Sequence, residues 1–232
     1  MPKTAAIIHT TFATLEPLRQ LAQRILPGVS VRNYLDDSLL PEINRDGCLS
    51  ASVRYRFLSL AHAAALGMPD AMLCACSSVG ELVEELRGVI SIPFLRIDEP
   101  MAEMAAAFSG GVTVCATLPS TLKPTLHLIE RKIREQNSTA RLEGCLIEGA
   151  GALLNKGDIA GYDALLKSSL HTLAAKSDLI VLAQASMARA SEALTEADRA
   201  KLLTSPESGM KALAALFERE SPSSLSEDGI HR

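Results

Sequence analysis

The sequence predicts an α/β protein built as two similar halves, each a parallel sheet flanked by helices, with a cleft between them. Three observations carry this. Short apolar runs of strand length alternate with segments of helical spacing along the chain, the pattern of parallel strands joined by helical crossovers. Several of those runs end in small polar residues just before the next helix, as at Cys76-Ser77-Ser78 and Gln184-Ala185-Ser186. The features also recur in order: strand-His9-Thr10-Thr11 is echoed by strand-Ala116-Thr117 through Ser120-Thr121, and strand-Cys76-Ser77-Ser78 by strand-Gln184-Ala185-Ser186. Polar strand ends that face each other across two halves leave a cleft suited to a small ligand.

The first half is expected over residues 1–97. Thr4–His9 reads as its first strand, followed by Thr10-Thr11 and an amphipathic helix from about Leu15 to Ile25, which Pro27-Gly28 ends. Val29–Leu35 is the second strand and runs into Asp36-Asp37-Ser38. Over Leu49–Leu66 the apolar residues Val53, Phe57, Leu60, Ala61 and Ala64 fall at helical spacing, and Gly67-Met68-Pro69 stops that helix. Ala71–Ala75 is a third, nearly unbroken apolar strand. Glu81–Leu86 is a short helix and Ile90–Arg96 a strand carrying Pro93.

The second half is expected over 98–203. It opens with a helix at Asp98–Phe108, a break at Gly110-Gly111 and a strand at Val112–Ala116. A polar turn at 117–121, a helix at Leu122–Gln136 and a strand at Ala140–Ile147 follow. Beyond a small-residue segment at Gly149–Gly157 come a helix from about Tyr162 to Ala175 and an apolar strand at Asp178–Ala183. Further helices are read at Ser191–Leu203 and Gly209–Glu218, and the C-terminal helices at about 204–218 are expected to pack back onto the first half. The Ser/Pro-rich, charged tail over 219–232 is expected to be disordered.

At 232 residues the chain can bury a sizeable core. Hydrophobic residues make up 47%, yet no uninterrupted apolar run reaches the ~20 residues that span a bilayer, so no membrane partner is expected. A net charge of -4 without a basic cluster gives no attraction to nucleic acid. An aromatic content of 3%, with no Trp, leaves little on which to stack bases. The chain passes from Met1-Pro2-Lys3 straight into a strand-like run, without a signal-peptide h-region, and its five cysteines are scattered. Reduced thiols and a cytoplasmic location are the expectation. Metal-ligand spacing and phosphate motifs are both missing, and Gly149-Ala150-Gly151 is too isolated for a phosphate loop, so neither metal nor cofactor is expected.

The stretch Asp70–Gly80, D-A-M-L-C-A-C-S-S-V-G, focuses the functional reading. Ligands of open α/β sheets bind at the carboxyl ends of the strands. The helix that follows turns its free N–H groups and positive dipole end to the same place. Cys76, the first residue past the apolar run, is therefore expected in a field that favours thiolate. Ser77, Ser78 and nearby backbone N–H groups could hold an anion. Cys74, inside the run, reads as a buried core thiol.

With those residues in view, the chain from Ala5 to Leu203 resembles the aspartate/glutamate/hydantoin racemase superfamily. Ala75-Cys76-Ser77-Ser78 resembles that family's A-C-N-T-A element, which carries its first catalytic cysteine. A-T-L-P-S-T-L-K at 116–123 is similar to its G-T-x-x-T-x-K turn, and S-D-L-I-V-L-A-Q-A-S at 177–186 to its strand leading to G-C-T-H. The resemblance implies two pseudo-symmetric, flavodoxin-like halves with the active site between them, and a homodimer. It also implies cofactor-independent isomerase chemistry at a carbon adjacent to the carboxylate of a small acid. Family racemases are understood to set two thiols on opposite faces of the substrate, one removing the α-proton and the other returning a proton.

Gln184 stands where the second of those cysteines is expected, and an amide hydrogen-bonds but does not exchange a proton as a thiol does. The implied catalytic pair is Cys76, as base or nucleophile, and Gln184. The implied substrate-binding set is His9, Thr10, Ser77, Ser78, Thr117, Ser120, Thr121, Ala185 and Ser186. A one-thiol lyase or decarboxylase of the same fold, a cis-trans isomerase, and a small-acid binding protein without turnover are the alternatives.

The remaining candidates have bland readings beside sharper ones. His9 either lines the cleft or is a hydrogen-bonded partner at a strand end. Thr10 and Thr11 cap the next helix or touch a carboxylate. Asp36-Asp37 form a solvated turn or orient a substrate amine or His9, and Glu148 is equally ambiguous. Cys48, Cys115 and Cys145 read as structural, and His62, His127 and His171 as helix residues without a catalytic part.

Overall fold

The computed structural model describes residues 2–191 and 194–219. The first sheet holds β1 (Thr4–His9), β2 (Ser30–Leu35), β3 (Ala71–Cys74) and β4 (Phe94–Arg96). The helices among its strands are α1 (Leu15–Ile25), α2 (Leu39–Asp46), α3 (Ala51–Leu66) and α4 (Gly80–Leu86). After α5 (Glu99–Ala106) the second sheet takes β5 (Gly111–Ala116), β6 (Arg141–Leu146), β7 (Leu179–Leu182) and β8 (Leu202–Thr204). Its helices are α6 (Pro119–Glu135), α7 (Ala150–Asn155), α8 (Ile159–Ala174), α9 (Ala188–Ser191) and α10 (Glu196–Arg199), and α11 (Ser205–Arg219) follows.

All pairs are parallel, and the strand orders match: β2-β1-β3-β4 in one sheet, β6-β5-β7-β8 in the other. In each sheet the chain steps outward from its first strand to its second, then crosses back to place the third on the opposite side. The carboxyl ends of β1 and β3, and of β5 and β7, are therefore the points where strand order reverses and a crevice opens. Register fixes what meets there. Ile8 pairs with Cys74 and Ala75 donates its N–H to Ile8 O at 2.8 Å, so Thr10 and Cys76 leave the sheet side by side. The second sheet repeats this with Cys115 opposite Leu182 and Ala183 N–H on Cys115 O at 2.9 Å, which sets Thr117 beside Gln184.

Successive strand residues point to opposite faces, and each sheet is apolar on both. Ala6, Ile8, Met72 and Cys74 pack towards Val53, Phe57, Leu82 and Val83 of α3 and α4. Ala5, Ile7, Ala71 and Leu73 face Leu18 and Ala22 of α1 and, from the far end of the chain, Met210, Leu213 and Phe217 of α11. In the second sheet Cys115, Ile180 and Leu182 face Tyr162, Leu166 and Leu170 of α8. Val112, Val114, Ala116 and Val181 face Met101, Ala105, Leu128 and Ile129 of α5 and α6.

Four elements differ from the expectation. The segment after Leu35 does not run on from its strand: α2 forms there, burying Leu39 and Ile43 one turn apart and ending on left-handed Gly47. The predicted polar turn at 117–121 contributes its last three residues to α6, because Pro119 at the helix start needs no N–H partner. The helix read over Ser191–Leu203 is instead two single turns, α9 and α10, and the short strand β8. The segment Gly149–Gly157 holds the short helix α7. Most of the tail expected to be disordered, residues 220–232, lies outside the described residues. Among those residues no helix is long and apolar enough to cross a membrane.

Candidate functional site

Cys76 leaves β3 in an extended conformation, and Ser77–Val79 then form a 3-10 turn that hands over to α4 at Gly80. Gly80 has a steric reason. A Cβ there would stand 2.3 Å from the carbon of the Arg96 guanidinium. That guanidinium is held rigidly, with Nε donating to Asp98 Oδ1 at 3.0 Å and Nη2 to Asp98 Oδ2 at 2.9 Å, both side chains being fully buried. Arg96 also pairs with Glu84, whose carboxylate accepts from Arg131 of α6 at 2.8 Å. The turn that presents Cys76 thus rests on an ionic network that ties the two halves together.

Gln184 occupies the corresponding place at the end of β7: extended backbone, then a 3-10 turn over Ala185–Met187 and α9. The two strand ends are stitched to each other. Ser77 Oγ donates to the carbonyl of Ala183 at 3.1 Å, and the hydroxyls of Ser78 and Thr121 share a bond of 3.1 Å. Gln184 Oε1 accepts from both the N–H and the hydroxyl of Thr117, at 2.7 and 2.8 Å. With its oxygen fixed on that side, the amide nitrogen of Gln184 has no hydrogen bond among the described residues and is left for the cleft.

The cleft is lined by Thr10, Thr11, Thr14, Leu40, Ala75, Cys76, Ser77, Ser78, Thr121, Gln184, Ala185 and Ser186. None of these is charged, so a carboxylate bound here would be met by hydroxyls and N–H groups. The cleft encloses only about 40 Å³, room for a few atoms. Two larger cavities adjoin it. One of about 300 Å³ shares Ser78 with the cleft and is lined also by Asn44 and Ser120; the other, of about 700 Å³, shares Thr14, Ala185 and Ser186 with it.

The electrostatics of Cys76 differ from the expected thiolate-favouring field. The expected donors are present: the Thr10 hydroxyl, the N–H groups of Ser78 and Val79 and the Ser78 hydroxyl each lower the thiol's pKa. Burial acts the other way and dominates, leaving it above the ordinary thiol range.

Most of the sequence-derived candidates converge, but three do not face the cleft. His9 sits behind it, fully buried, with Nδ1 2.8 Å from Thr14 Oγ1 and Nε2 2.9 Å from Asn33 Oδ1. Its burial lowers the imidazole pKa, the bond to Asn33 offsetting part of this, so the ring is neutral at pH 7 and supports Thr14. Thr117 acts through Gln184. Ser120 turns to Asn44 and lines the smaller adjoining cavity. Asp36 accepts from Ser38 N at 3.0 Å, away from the cleft.

Sequence reasoning did not single out Thr14 or Leu40 as lining residues, nor Tyr162. Thr14 is the last residue of an unrecognised 3-10 turn and Leu40 belongs to the unrecognised α2. Tyr162 is buried in α8. Burial raises the pKa of its hydroxyl, and the neighbouring hydroxyls of Thr117 and Ser186 partly counter this. Among the described residues no group of three or more His, Cys, Asp or Glu is placed to hold a metal.

Two parallel α/β lobes related by a repeated topology, with paired strand ends meeting across a thiol-bearing cleft, define a pseudo-symmetric two-lobed protein. The particular family is set by residues 7–213, which match the family model Asp/Glu/Hydantoin racemase; the chain belongs to that family. Among solved structures it is similar to glutamate racemase isoform RacE1 of Bacillus anthracis, with a TM-score of 0.71 at 16% identity, covering 94% of this chain and 83% of that one. It is also similar to the aspartate racemase of Picrophilus torridus (TM-score 0.66, 15% identity, 94% of each chain). Allantoin racemase from Klebsiella pneumoniae is a third likeness (TM-score 0.64, 19% identity, 94% of this chain and 88% of that one). No curated protein matches the sequence. At these identities the likenesses speak for the fold alone.

Proposed function

We propose that this chain is a cofactor-independent enzyme acting at the carbon next to the carboxylate of a small acid, with Cys76 as its one working thiol. The observation that carries this reading is the opposition of Cys76 and Gln184 at equivalent strand ends. Proton removal beside a carboxylate needs a base held close to the carbon. It also needs fixed donors for the charge that develops on the carboxylate oxygens. Cys76 is the base, or the nucleophile if the chemistry is isomerisation through an adduct. Thr10, Ser186 and whichever of the paired Ser78 and Thr121 hydroxyls keeps its proton free are the donors, while Ser77, its proton given to the Ala183 carbonyl, offers its oxygen and holds the strand ends together.

Gln184 is a donor too. Thr117 holds its oxygen at two points, so the amide presents N–H rather than C=O to the ligand. That arrangement stabilises an enediolate-like charge and returns no proton. The proposed chemistry is therefore one-sided: exchange with retention, decarboxylation or isomerisation, rather than racemisation. The burial that raises the pKa of Cys76 favours a second reading, a binding protein in which the thiol stays protonated at neutral pH.

The two readings part on the substitution of single residues. Cys76→Ala is expected to abolish turnover of whichever acid is converted, as followed by proton NMR in deuterium oxide. Gln184→Ala is expected to lower kcat by ~100-fold, the usual effect of removing one transition-state donor. Wild-type protein that binds acids but exchanges, decarboxylates and isomerises none of them supports the binding reading instead.

A further inference from the structure

We propose that Cys115 and Cys145 form a reversible dithiol–disulfide site that exchanges with low-molecular-weight disulfides such as glutathione disulfide. Placement is the first argument. The two residues are register partners on the adjacent parallel strands β5 and β6. Register partners share a face of the sheet, and both side chains stand in the apolar cluster beneath α8. Adjacent strands lie ~4.8 Å apart, within the ~4.4–6.8 Å between Cα atoms that a disulfide bridges. The thiols already sense each other. Burial raises the pKa of Cys115 most, and the charge and side-chain contact of Cys145 raise it further.

Access makes the two unequal. β6 is the outer strand of its sheet, bonded on one side only, and Cys145 on it is half-buried. Cys115 is fully buried, so Cys145 is the thiol that a dissolved disulfide meets. As thiolate, Cys145 attacks one sulfur of glutathione disulfide. That S–S bond breaks, one glutathione leaves as thiolate, and a mixed disulfide remains on Cys145. Cys115 then attacks the Cys145 sulfur and expels the second glutathione. Two protein thiols and one glutathione disulfide become one protein disulfide and two reduced glutathiones, which take up the two protons.

Geometry also makes the bond reversible. Parallel side chains in register stand about as far apart as their strands, whereas the Cβ atoms of a disulfide are ~3.5–4.5 Å apart. Closing the bond must therefore draw the edge strand inward. Strained disulfides are the labile ones, open to attack by reduced glutathione.

The test equilibrates the full chain in buffers of reduced and oxidised glutathione and quenches it with iodoacetamide. Tryptic peptides are then mapped by mass spectrometry; Arg141 lies between the two cysteines, so their disulfide joins two peptides. Wild type is expected to give the linked Cys115–Cys145 pair from chains of monomer mass on a non-reducing gel. Excess reduced glutathione is expected to reopen it without denaturant. Cys115→Ala is expected to hold at least 10-fold more mixed disulfide on Cys145 than wild type, because no second thiol displaces the glutathione. Cys145→Ser is expected to leave Cys115 unmodified while the exposed Cys48 still reacts.

A lasting mixed disulfide on Cys145 of wild type, without the linked pair, overturns the proposal. Cys145 left free while Cys48 is modified does so too, as does a link between the cysteines of two chains. A linked pair that opens only in denaturant, or glutathione found on Cys115 of Cys145→Ser, is equally contrary.

Discussion

At the scale of the residue, the telling comparison is between buried His9 and half-buried Cys76, whose protonation is pushed by the same force. Cys76 has its thiol pKa raised, mainly by burial, and four donors only partly offset it. If the thiolate is the base, turnover must climb with pH and keep climbing past the ~8.5 of a free thiol, since the active form is the deprotonated one. A kcat/KM profile that plateaus below pH 7 would show a thiol activated in a way this geometry does not provide.

His9 is pushed downward, burial disfavouring its charged form. Its folded pKa lies below the 6.5 of the unfolded chain, so the unfolded state takes up protons first on acidification. Stability is therefore complete above pH 6.5 and is lost as pH falls towards the folded value. A His9→Gln variant is expected to flatten the dependence of melting temperature on pH below 6.5; an unchanged slope would place that titration elsewhere.

At the scale of the element, the presenting turn after β3 depends on one missing side chain. Gly80→Ala drives a methyl into the Arg96 guanidinium, which is pinned by Asp98 and cannot swing away. A loss of roughly 2 kcal/mol is expected by denaturant titration, in the range of overpacked cores; a change below 0.5 kcal/mol would mean the guanidinium is free to move. The same turn explains what was legible in the sequence. Fully apolar strands such as Ala71–Cys74 and Leu179–Leu182 announce themselves, and so do their polar ends, which brought Cys76, Ser77, Ser78, Thr121, Gln184 and Ser186 into view.

Single-turn pieces do not announce themselves. The three residues of β8 and the four each of α9 and α10 are too short for a period to show. Side-chain aim is the other blind spot. Ser120 and Thr121 are neighbours in one helical turn, yet one turns to Asn44 and the other to Ser78. The thiolate expectation failed for a related reason. Helix position can be read from a pattern, whereas the burial that outweighs it comes from side chains brought together only in the fold, such as the core of the first half against which Cys76 packs.

At the scale of the molecule, two halves with one topology make a site only if they are held face to face. Ser77 on Ala183, Ser78 on Thr121 and Glu84 between Arg96 and Arg131 do this, while α11 returns from the second sheet to pack on the first. The buried Arg96–Asp98 pair is the fixed point. Asp98→Ala would leave a buried guanidinium short of its bidentate partner and is expected to cost about 3 kcal/mol or more. Arg131→Ala removes a partly exposed cation and is expected to cost under ~1 kcal/mol. Equal losses for the two, measured by thermal and chemical unfolding, would contradict this ranking.

The central claim is that one thiol, faced by an amide, performs one-sided chemistry next to a carboxylate. The most direct measurement is proton NMR in deuterium oxide, combined with chiral analysis, on wild type, Cys76→Ala and Gln184→Cys across amino acids, hydantoins, malonate-like diacids and unsaturated diacids. The account predicts conversion or α-exchange of at least one acid by wild type without loss of optical purity, no conversion by Cys76→Ala, and measurable racemisation only once Gln184→Cys supplies a second thiol. Clean racemisation by the wild-type protein, or undiminished turnover by Cys76→Ala, would contradict it.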